Sequence, residues 1–314
     1  MSNDPGKKRV EHELFLRAFL STKPPDRVAA QLSLVTRDAH LEPGELLFEA
    51  GQTPESLHFV AAGRIGLETP EGVTTTAEAG SVLDMLDASI PRPRMRTAIA
   101  LERTHVLALD FADYLDILED NFVFAVDTLR AGAESYCSLA ERLGSTLAFE
   151  RPDDLPSASA SAEMDVVERV LVLQHVGLFR GAPAQALVQL AHLAEIKRWK
   201  GGDYLFSRGD AVTEARIVTR GVVVMCHRED TPVASFGPHQ IVGDLGFLCA
   251  QTQAFSARAE APAVTIDVHI EDLFDVAEDH FDLWRSMLSY VARQRARLSE
   301  SMPSRVSDPG RMTL

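Results

Sequence analysis

The stretch Pro43-Gly-Glu-Leu-Leu-Phe-Glu-Ala-Gly51 returns 158 residues later as Gly201-Gly-Asp-Tyr-Leu-Phe-Ser-Arg-Gly209. A glycine, a phenylalanine and a second glycine recur in one register, and a third glycine, Gly63 or Gly221, follows each copy at the same distance. Four shared anchors at a single offset are not expected by chance. The repeat indicates a duplicated domain, because solenoid units recur about every 20–50 residues.

The duplication predicts two domains that each bury their own core, which a chain of 314 residues can supply. The segment between the copies, Pro152-Asp-Asp-Leu-Pro-Ser-Ala-Ser-Ala-Ser-Ala162, is small, polar and repetitive, as is typical of a linker. The residues after Ser299 contain two prolines and a glycine and resemble a frayed end. We predict a first domain at 1–150, a linker at 151–162, a second domain at 163–300 and a tail at 301–314.

Each domain is predicted to hold β-strands between flanking helices. Helical apolar spacing marks residues 166–173 and 183–194, with Leu187, Leu190 and Leu193 as candidates for burial. Short apolar runs separated by glycines and prolines fill residues 200–268, which is typical of an all-β roll. The first domain repeats this with helices at about 10–20, 25–36 and 111–144 and strands at about 40–109. The fold class is therefore mainly β, as two tandem jelly-rolls with helices at both ends.

The repeated glycines have a mechanical interpretation. They fall where short strands must reverse direction, and glycine tolerates the positive φ that such turns often need. We therefore expect Gly44, Gly51 and Gly63, with their partners in the second copy, to specify the fold rather than any chemistry.

The composition is that of a soluble globular protein, with 46% apolar and 25% charged residues. No apolar run approaches the roughly 18 residues that cross a bilayer, and no apolar signal region follows the N-terminus, so we expect a cytoplasmic protein. The net charge of −15 disfavours nucleic acid as a partner. Three cysteines without CxxC spacing predict buried apolar side chains rather than a disulfide framework.

The repeated phrase, followed about a dozen residues later by an apolar pair and a glycine, resembles the cyclic nucleotide-binding domain. This is the sensor module of catabolite activator proteins and of protein kinase A regulatory subunits. The resemblance covers about residues 10–144 and 166–298 and implies an eight-stranded roll with its ligand inside. In the second copy, Gly243-Asp-Leu-Gly-Phe-Leu248 is similar to the phosphate-binding cassette of that family.

In the family, a short helix directs its N-terminal amides at the cyclic phosphate, an arginine pairs with that phosphate, and a glutamate accepts the ribose 2′-hydroxyl. The resemblance implies that the ligand contacts in the second domain are Gly243, Asp244, Leu245, Gly246 and Gln253. Asp244 keeps the carboxylate on a shorter side chain. Gln253 stands where the family has its arginine, so the positive partner of the phosphate is missing.

The first domain departs from the family pattern differently. The resemblance assigns its site to Met85, Leu86, Arg94 and Met95. Arg94 keeps the position of the arginine, but Met85 replaces the glutamate and Asp84 replaces the glycine before it. Asp84 and Asp87 are expected to bring negative charge near the phosphate. Each site has lost one of its two anchors, which costs about 1.5–3 kcal/mol of binding free energy.

These features predict a signalling or regulatory protein that senses a cyclic nucleotide, cAMP or cGMP, through degenerate tandem sites and signals to a partner protein. The alternative is a scaffold that binds no nucleotide. No enzymatic activity is expected, because HExxH, P-loop and GxSxG motifs are absent from the sequence. The ten histidines show no metal-binding spacing, so we predict neither a metal nor a required cofactor.

Limited proteolysis of the whole chain should cut first between Arg151 and Glu163, because a polar linker offers proteases extended backbone and a folded roll does not. Mass spectrometry of the earliest fragments locates that cut. A first cut within either predicted roll would contradict the predicted boundaries.

Overall fold

The computed structural model describes residues 5–19, 24–70, 72, 74–142, 164–226, 231–249 and 252–300. The chain divides into two compact units, Met1–Ser135 with Ala292–Leu314, and Tyr136–Val291. The linker at 151–162 and the tail at 301–314 lie outside the described residues, so the boundaries of the four predicted segments stay a prediction.

The first unit begins with two helices, α1 (Pro5–Phe19) and α2 (Asp26–Val35). Eight strands follow: β1 (Arg37–Leu41), β2 (Leu46–Phe48), β3 (Ser56–Ala62), β4 (Arg64–Glu68), β5 (Thr74–Glu78), β6 (Val82–Leu83), β7 (Thr97–Ala100) and β8 (Thr104–Asp110). Between β6 and β7 lies one turn of 3-10 helix, Asp87–Ser89. Then come α3 (Phe111–Glu119) and α4 (Phe122–Arg142), and the division between the units falls within α4.

The strands of the first unit form two antiparallel four-stranded sheets, in the orders β1-β8-β3-β6 and β2-β7-β4-β5. Alternate residues of a strand point to opposite faces of its sheet, so each sheet can offer one apolar face. Side chains from both sheets form one buried cluster that includes Phe48, Val60, Ile65, Ala98 and Val106. This shared core between two sheets is the predicted β-roll.

The second unit repeats this plan. It contains helices α5 (Val166–His175) and α6 (Ala184–Leu193), then strands β9 (Glu195–Trp199), β10 (Tyr204–Phe206), β11 (Glu214–Arg220), β12 (Val223–Cys226) and β13 (Pro232–Phe236). A 3-10 turn, Gly177–Phe179, lies between the two helices. After β13 come the short helix α7 (Gly246–Cys249), β14 (Ser256–Ala259), β15 (Ala263–His269), α8 (Ile270–Asp279) and α9 (Phe281–Glu300).

The sheets of the second unit follow the same orders, β10-β14-β12-β13 and β11-β15-β9, and Ile241 bridges to Ile217 where the first unit has β6. Val60 N–H donates to the Ser81 carbonyl, and Val218 N–H donates to the Gln240 carbonyl. The donors, Val60 and Val218, are 158 positions apart, whereas the acceptors, Ser81 and Gln240, are 159 positions apart. The second copy therefore has one extra residue before its cassette, and repeat partners beyond that point differ by 159.

All six repeated glycines have a left-handed backbone, with φ between 83° and 92°. Their interpretation as turn glycines is confirmed. Gly221 is also packed closely: a Cβ added there would lie 2.6 Å from the Pro262 carbonyl oxygen and 2.9 Å from Ala263 Cα. Gly202 has the same backbone conformation but nothing within 4 Å of an added Cβ.

Two expectations for the second unit differ from the structure. The first strand starts at Glu195 rather than at about residue 200. Leu187 and Leu190 are buried as predicted, but Leu193 is 46% exposed. Leu193 lies off the stripe that Ala186, Leu187, Leu190 and Ala191 present to the core, because α6 ends at Leu193. Among the described residues, no helix is both long enough and apolar enough to cross a membrane.

Gly221→Ala should destabilise the protein more than Gly202→Ala. Both substitutions place an alanine at positive φ, which costs about 1–2 kcal/mol, but only Gly221→Ala also forces a Cβ into neighbouring backbone, at about 1–3 kcal/mol more. Urea unfolding at equilibrium measures the two free energies of unfolding. Equal losses in the two variants would show that packing at Gly221 contributes nothing beyond its φ.

Candidate functional site

Backbone hydrogen bonds place Arg94 and Gln253 at equivalent positions of the two rolls. The Arg94 carbonyl accepts from Gly51 N–H at 2.8 Å, and Arg94 N–H donates to the Gln52 carbonyl at 2.8 Å. The Gln253 carbonyl accepts from Gly209 N–H at 2.9 Å, and Gln253 N–H donates to the Asp210 carbonyl at 2.8 Å. Gly51 and Gly209 are repeat partners, so these contacts make Arg94 the structural counterpart of Gln253.

In the first roll, Arg94 is only 9% exposed and is bound by the chain itself. Its Nε and Nη2 donate to Asp84 Oδ2 at 3.1 and 2.9 Å, and its Nη1 donates to the Thr53 carbonyl at 3.1 Å. The guanidinium carbon lies 4.3 Å from the centroid of the Phe48 ring, a favourable cation–π distance. Each nitrogen of the guanidinium therefore already donates to an oxygen of the same domain.

Asp84 reaches Arg94 from a backbone conformation that few aspartates adopt. Its φ is 68°, its side chain is 5% exposed, and Oδ2 also lies 3.2 Å from Nδ1 of His58. In the second roll the same place is taken by Gly243, whose φ of 86° makes the same left-handed turn. The two rolls share this turn of the backbone and differ in whether a carboxylate projects from it.

Asp84 was expected to bring negative charge near the phosphate, and the structure pairs its carboxylate with Arg94. A phosphate that bound Arg94 would have to displace Asp84, and the carboxylate would be left buried beside His58 alone, which is costly. Asp87 instead pairs with Arg92 at 2.8 Å, where both side chains are about one-third exposed. Among the other residues assigned to this site, Met85 and Leu86 are buried, whereas Met95 is 54% exposed.

In the second roll, both oxygens of Asp244 accept hydrogen bonds from tyrosines. Tyr136 Oη donates to Oδ2 at 3.1 Å and Tyr290 Oη donates to Oδ1 at 3.0 Å. Asp244 is buried at a φ of 49°, and burial together with the nearby Asp244 charge raises the pKa of Tyr136. The Tyr136 hydroxyl thus stays protonated at neutral pH. A ribose hydroxyl would have to compete with both tyrosines for the carboxylate to which the family resemblance assigns it.

A cavity of about 270 Å³ opens beside this cassette in the second unit. Its volume is slightly below the range for small-molecule sites, about 300–1,000 Å³. Gly243, Gly246 and Gln253 of the predicted site line it, while Leu245 belongs to the buried core. The remaining walls are largely aromatic or apolar: Tyr136, Ala140, Phe206, Met225, Val242, Phe247, Ala254 and Phe255.

Arg216 is the sole cation among the described residues that line this cavity. Its guanidinium lies 5.5 Å from the centroid of the Phe206 ring. Phe206 is the repeat partner of Phe48, whose ring contacts Arg94 in the first roll. Arg216 Nη2 lies 2.7 Å from Glu214 and its Nε 3.2 Å from Asp267. Lys197 contacts the same two carboxylates, at 2.8 and 3.3 Å. The charge of Arg216 is therefore balanced within the roll.

The pKa values of the two carboxylates, Glu214 and Asp267, are shifted in opposite directions. Burial opposes the charge of Glu214, but the hydrogen bond from Lys197 and the charge of Arg216 hold its pKa below the usual value. Asp267 is buried more deeply, and burial raises its pKa despite the same two cations. Glu214 is thus the main counter-charge of Arg216 at the cavity wall.

Two cysteines also line the cavity. Cys137 and Cys249 are half-buried, with their Sγ atoms 3.4 Å apart, whereas Cys226 is fully buried. The prediction of three buried apolar cysteines is therefore correct for Cys226 and wrong for the other two. Their residues are 112 positions apart, so no local spacing could reveal the contact.

Sequence reasoning missed Arg216 and the role of Asp84 as a partner of Arg94. Arg216 lies on β11, outside the cassette, at the repeat partner of His58. The available signal was the repeat itself: aligning the two copies places a cation at residue 216 in the copy whose cassette has lost one.

Asp84→Asn should lower the free energy of unfolding by about 3 kcal/mol, because it leaves the buried Arg94 guanidinium without its anion. Asparagine also tolerates left-handed φ, so the change isolates the charge. The matched control, Asp87→Asn, breaks the more exposed pair with Arg92 and should cost less than about 1 kcal/mol. Urea unfolding at neutral pH compares them, and equal small losses would contradict a buried, stabilising pair.

The chain is similar to known proteins in both sequence and structure. The profile of the cyclic nucleotide-binding domain matches residues 39–121 and 196–280, together more than half of the chain. A search of the curated proteins gave no match. The regulatory domain of Toxoplasma gondii protein kinase A, solved with cAMP, is 16% identical over 95% of this chain and 99% of its own, with a TM-score of 0.35.

Two further solved structures are similar. The regulatory subunit of a cAMP-independent protein kinase A from Trypanosoma cruzi, bound to guanosine, is 16% identical over 88% of both chains, with a TM-score of 0.35. The N-terminal domain of a transcriptional regulator from Streptomyces coelicolor is 26% identical over 41% of this chain and 92% of its own, with a TM-score of 0.34. With both of its rolls matched by the family profile, the chain belongs to the cyclic nucleotide-binding domain family.

Proposed function

We propose that this protein is a non-enzymatic regulatory subunit or adaptor that senses a nucleotide-type ligand in its second roll and signals to a partner protein. The observation that carries the proposal is the difference between the two rolls. In the second, a cavity of about 270 Å³ adjoins the cassette. In the first, Asp84 accepts the hydrogen bonds of Arg94, the arginine that a phosphate would need. The first roll then acts as a fixed structural element.

The charges of the second cavity favour a ligand with little or no negative charge. Arg216, the one cation found among the described residues of its lining, is already paired with Glu214 and Asp267. An incoming cyclic phosphate would gain little from a compensated guanidinium and would approach two carboxylates. The aromatic and apolar walls suit a nucleobase. We therefore expect a nucleoside to bind at least as tightly as the corresponding cyclic nucleotide.

Asp244 is not among the residues that line the cavity, but it accepts a hydrogen bond from Tyr136, which is, and so connects the cavity to the helices. Its two oxygens hold the hydroxyls of Tyr136 in α4 and Tyr290 in α9. A ribose hydroxyl that reached Asp244 would displace at least one tyrosine, and the free tyrosine would change how its helix packs. The ligand would thus favour one helix arrangement through its different affinity for the two states, and a partner protein would recognise that arrangement.

A scaffold that binds no nucleotide is the second candidate function. It is favoured by the satisfied state of both family anchors: Arg94 is paired in the first roll and both oxygens of Asp244 are used in the second. Titration calorimetry of the whole chain with cAMP, cGMP, adenosine and guanosine separates the two. Heat from a nucleoside supports the sensor, and no heat from any of the four supports the scaffold.

Gln253→Arg should raise the affinity for cAMP or cGMP about tenfold or more, because it restores a guanidinium at the family position facing Gly243 and α7. Adenosine and guanosine, which carry no phosphate, should gain nothing. Gln253→Met is the matched control: it has a similar size without a charge, so it should not improve binding of either class. Calorimetry measures all three proteins.

An equal gain for nucleosides and cyclic nucleotides in Gln253→Arg would contradict a phosphate-specific effect at this position. If Gln253→Arg stays folded and still binds neither cyclic nucleotide, the cavity does not admit them and the scaffold is supported.

A further inference from the structure

Three histidines and an aspartate meet in the first unit, away from its cassette. Asp38 and His40 lie two residues apart on β1, so they share one face of the strand. His105 lies on β8 directly opposite His40 in the antiparallel register, and the two rings stack at 4.5 Å. His12 comes from α1. The four side chains therefore come from three elements that the fold brings together.

Asp38 lies at the centre of this cluster. His105 Nε2 is 2.8 Å and His12 Nε2 is 3.0 Å from the same oxygen, Oδ1 of Asp38. The ligand atoms of Asp38, His40 and His105 all lie within 4.8 Å of one another. Lys8 Nζ is 3.4 Å from the other oxygen, Oδ2, in a more exposed position. A point near Oδ1 is thus faced by imidazole nitrogens from different directions.

We propose that His12, Asp38, His40 and His105 form a binding site for a divalent transition metal, with Zn²⁺ as the best fit. Imidazole nitrogens and one carboxylate are zinc ligands, and a set of four satisfies its tetrahedral preference. Bonds of about 2.0–2.1 Å place the ligand atoms of a tetrahedral site about 3.3 Å apart. The contacts of His105 and His12 with Asp38, 2.8 and 3.0 Å, are slightly shorter than that value, and the ligand atoms of Asp38, His40 and His105 are at most 4.8 Å apart. His12 would have to turn toward His40 and His105 to complete the set of four.

Asp38 supplies the carboxylate of the cluster. A metal beside Oδ1 would replace the contacts that His12 and His105 now make with that oxygen. When a metal binds at Oδ1, the Lys8 ammonium can either stay beside Oδ2 or turn into solvent, because the Lys8 side chain is nearly half exposed. A bound metal would join α1 to β1 and β8, and so fix the first helix of the unit on its roll.

Equilibrium dialysis of the whole chain against Zn²⁺, with bound metal counted by mass spectrometry, tests the site. We expect one equivalent to bind to these residues and a rise in the thermal unfolding midpoint with Zn²⁺ concentration, because metal that binds only the folded state stabilises it. Co²⁺ in its place should give the visible bands of a tetrahedral site.

His40→Gln is the first variant, because His40 is exposed and its loss should leave the fold intact. It should weaken Zn²⁺ binding at least about tenfold, the loss seen when even the outer partners of metal ligands are removed. Asp38→Asn should weaken it further and abolish the tetrahedral Co²⁺ spectrum. The matched control, His192→Ala, removes an exposed histidine on α6 and should change neither.

Cysteines also bind zinc, so Cys137→Ser/Cys249→Ser is tested in parallel. If this double variant keeps its bound zinc while His40→Gln loses it, the histidine site is supported. If the cysteine variant loses the zinc while His40→Gln keeps it, or if the unmodified chain binds no zinc, the proposal is overturned. None of these outcomes depends on nucleotide binding.

Discussion

A guanidinium taken out of water must keep an anionic partner, and both rolls are built around this constraint. In each, an arginine lies over the ring of the repeated phenylalanine, Phe48 or Phe206. In each, carboxylates of the same unit balance its charge. The arginine comes from the cassette in the first roll and from a strand of the sheet in the second. The repeated phenylalanine ring therefore contacts an arginine in both copies, but only in the first copy does that arginine belong to the cassette.

The two rolls differ in where the anionic partner of the arginine comes from. Asp84 projects from the cassette turn itself, at the position of Gly243, and so fills the space in front of Arg94. Glu214 and Asp267 belong to β11 and β15, beside Arg216 on the sheet, and leave the cassette turn bare. The cavity of about 270 Å³ adjoins that bare turn. A single carboxylate at the turn thus distinguishes a cassette whose arginine is paired with it from one whose turn is bare.

The sequence was sufficient for the fold and for the register of the cassettes. Glycines at positive φ and a repeated phenylalanine are local requirements of the chain, and the glycines are visible in the sequence because most other residues are strained at a left-handed φ. The partners of Arg216 and the cluster at Asp38 could not be found in this way. They depend on which residues of neighbouring strands and helices meet, as when His40 faces His105 across sixty-five positions of sequence. A search for metal spacing along the chain finds no such pair.

The two cassettes show why loss of one anchor does not simply weaken a site. Arg94 without a ligand would be a buried, unpaired cation, and Asp84 removes that cost by binding it. Gln253 is neutral, so the second roll needs no such carboxylate and Gly243 can stay. The pair Arg94 and Asp84 is balanced in charge, and so is the neutral pair Gln253 and Gly243. An arginine combined with a glycine at these two positions would leave the guanidinium unpaired until an anion binds. Neither roll of this chain has the arginine–glycine pair, which would leave the guanidinium free for a phosphate.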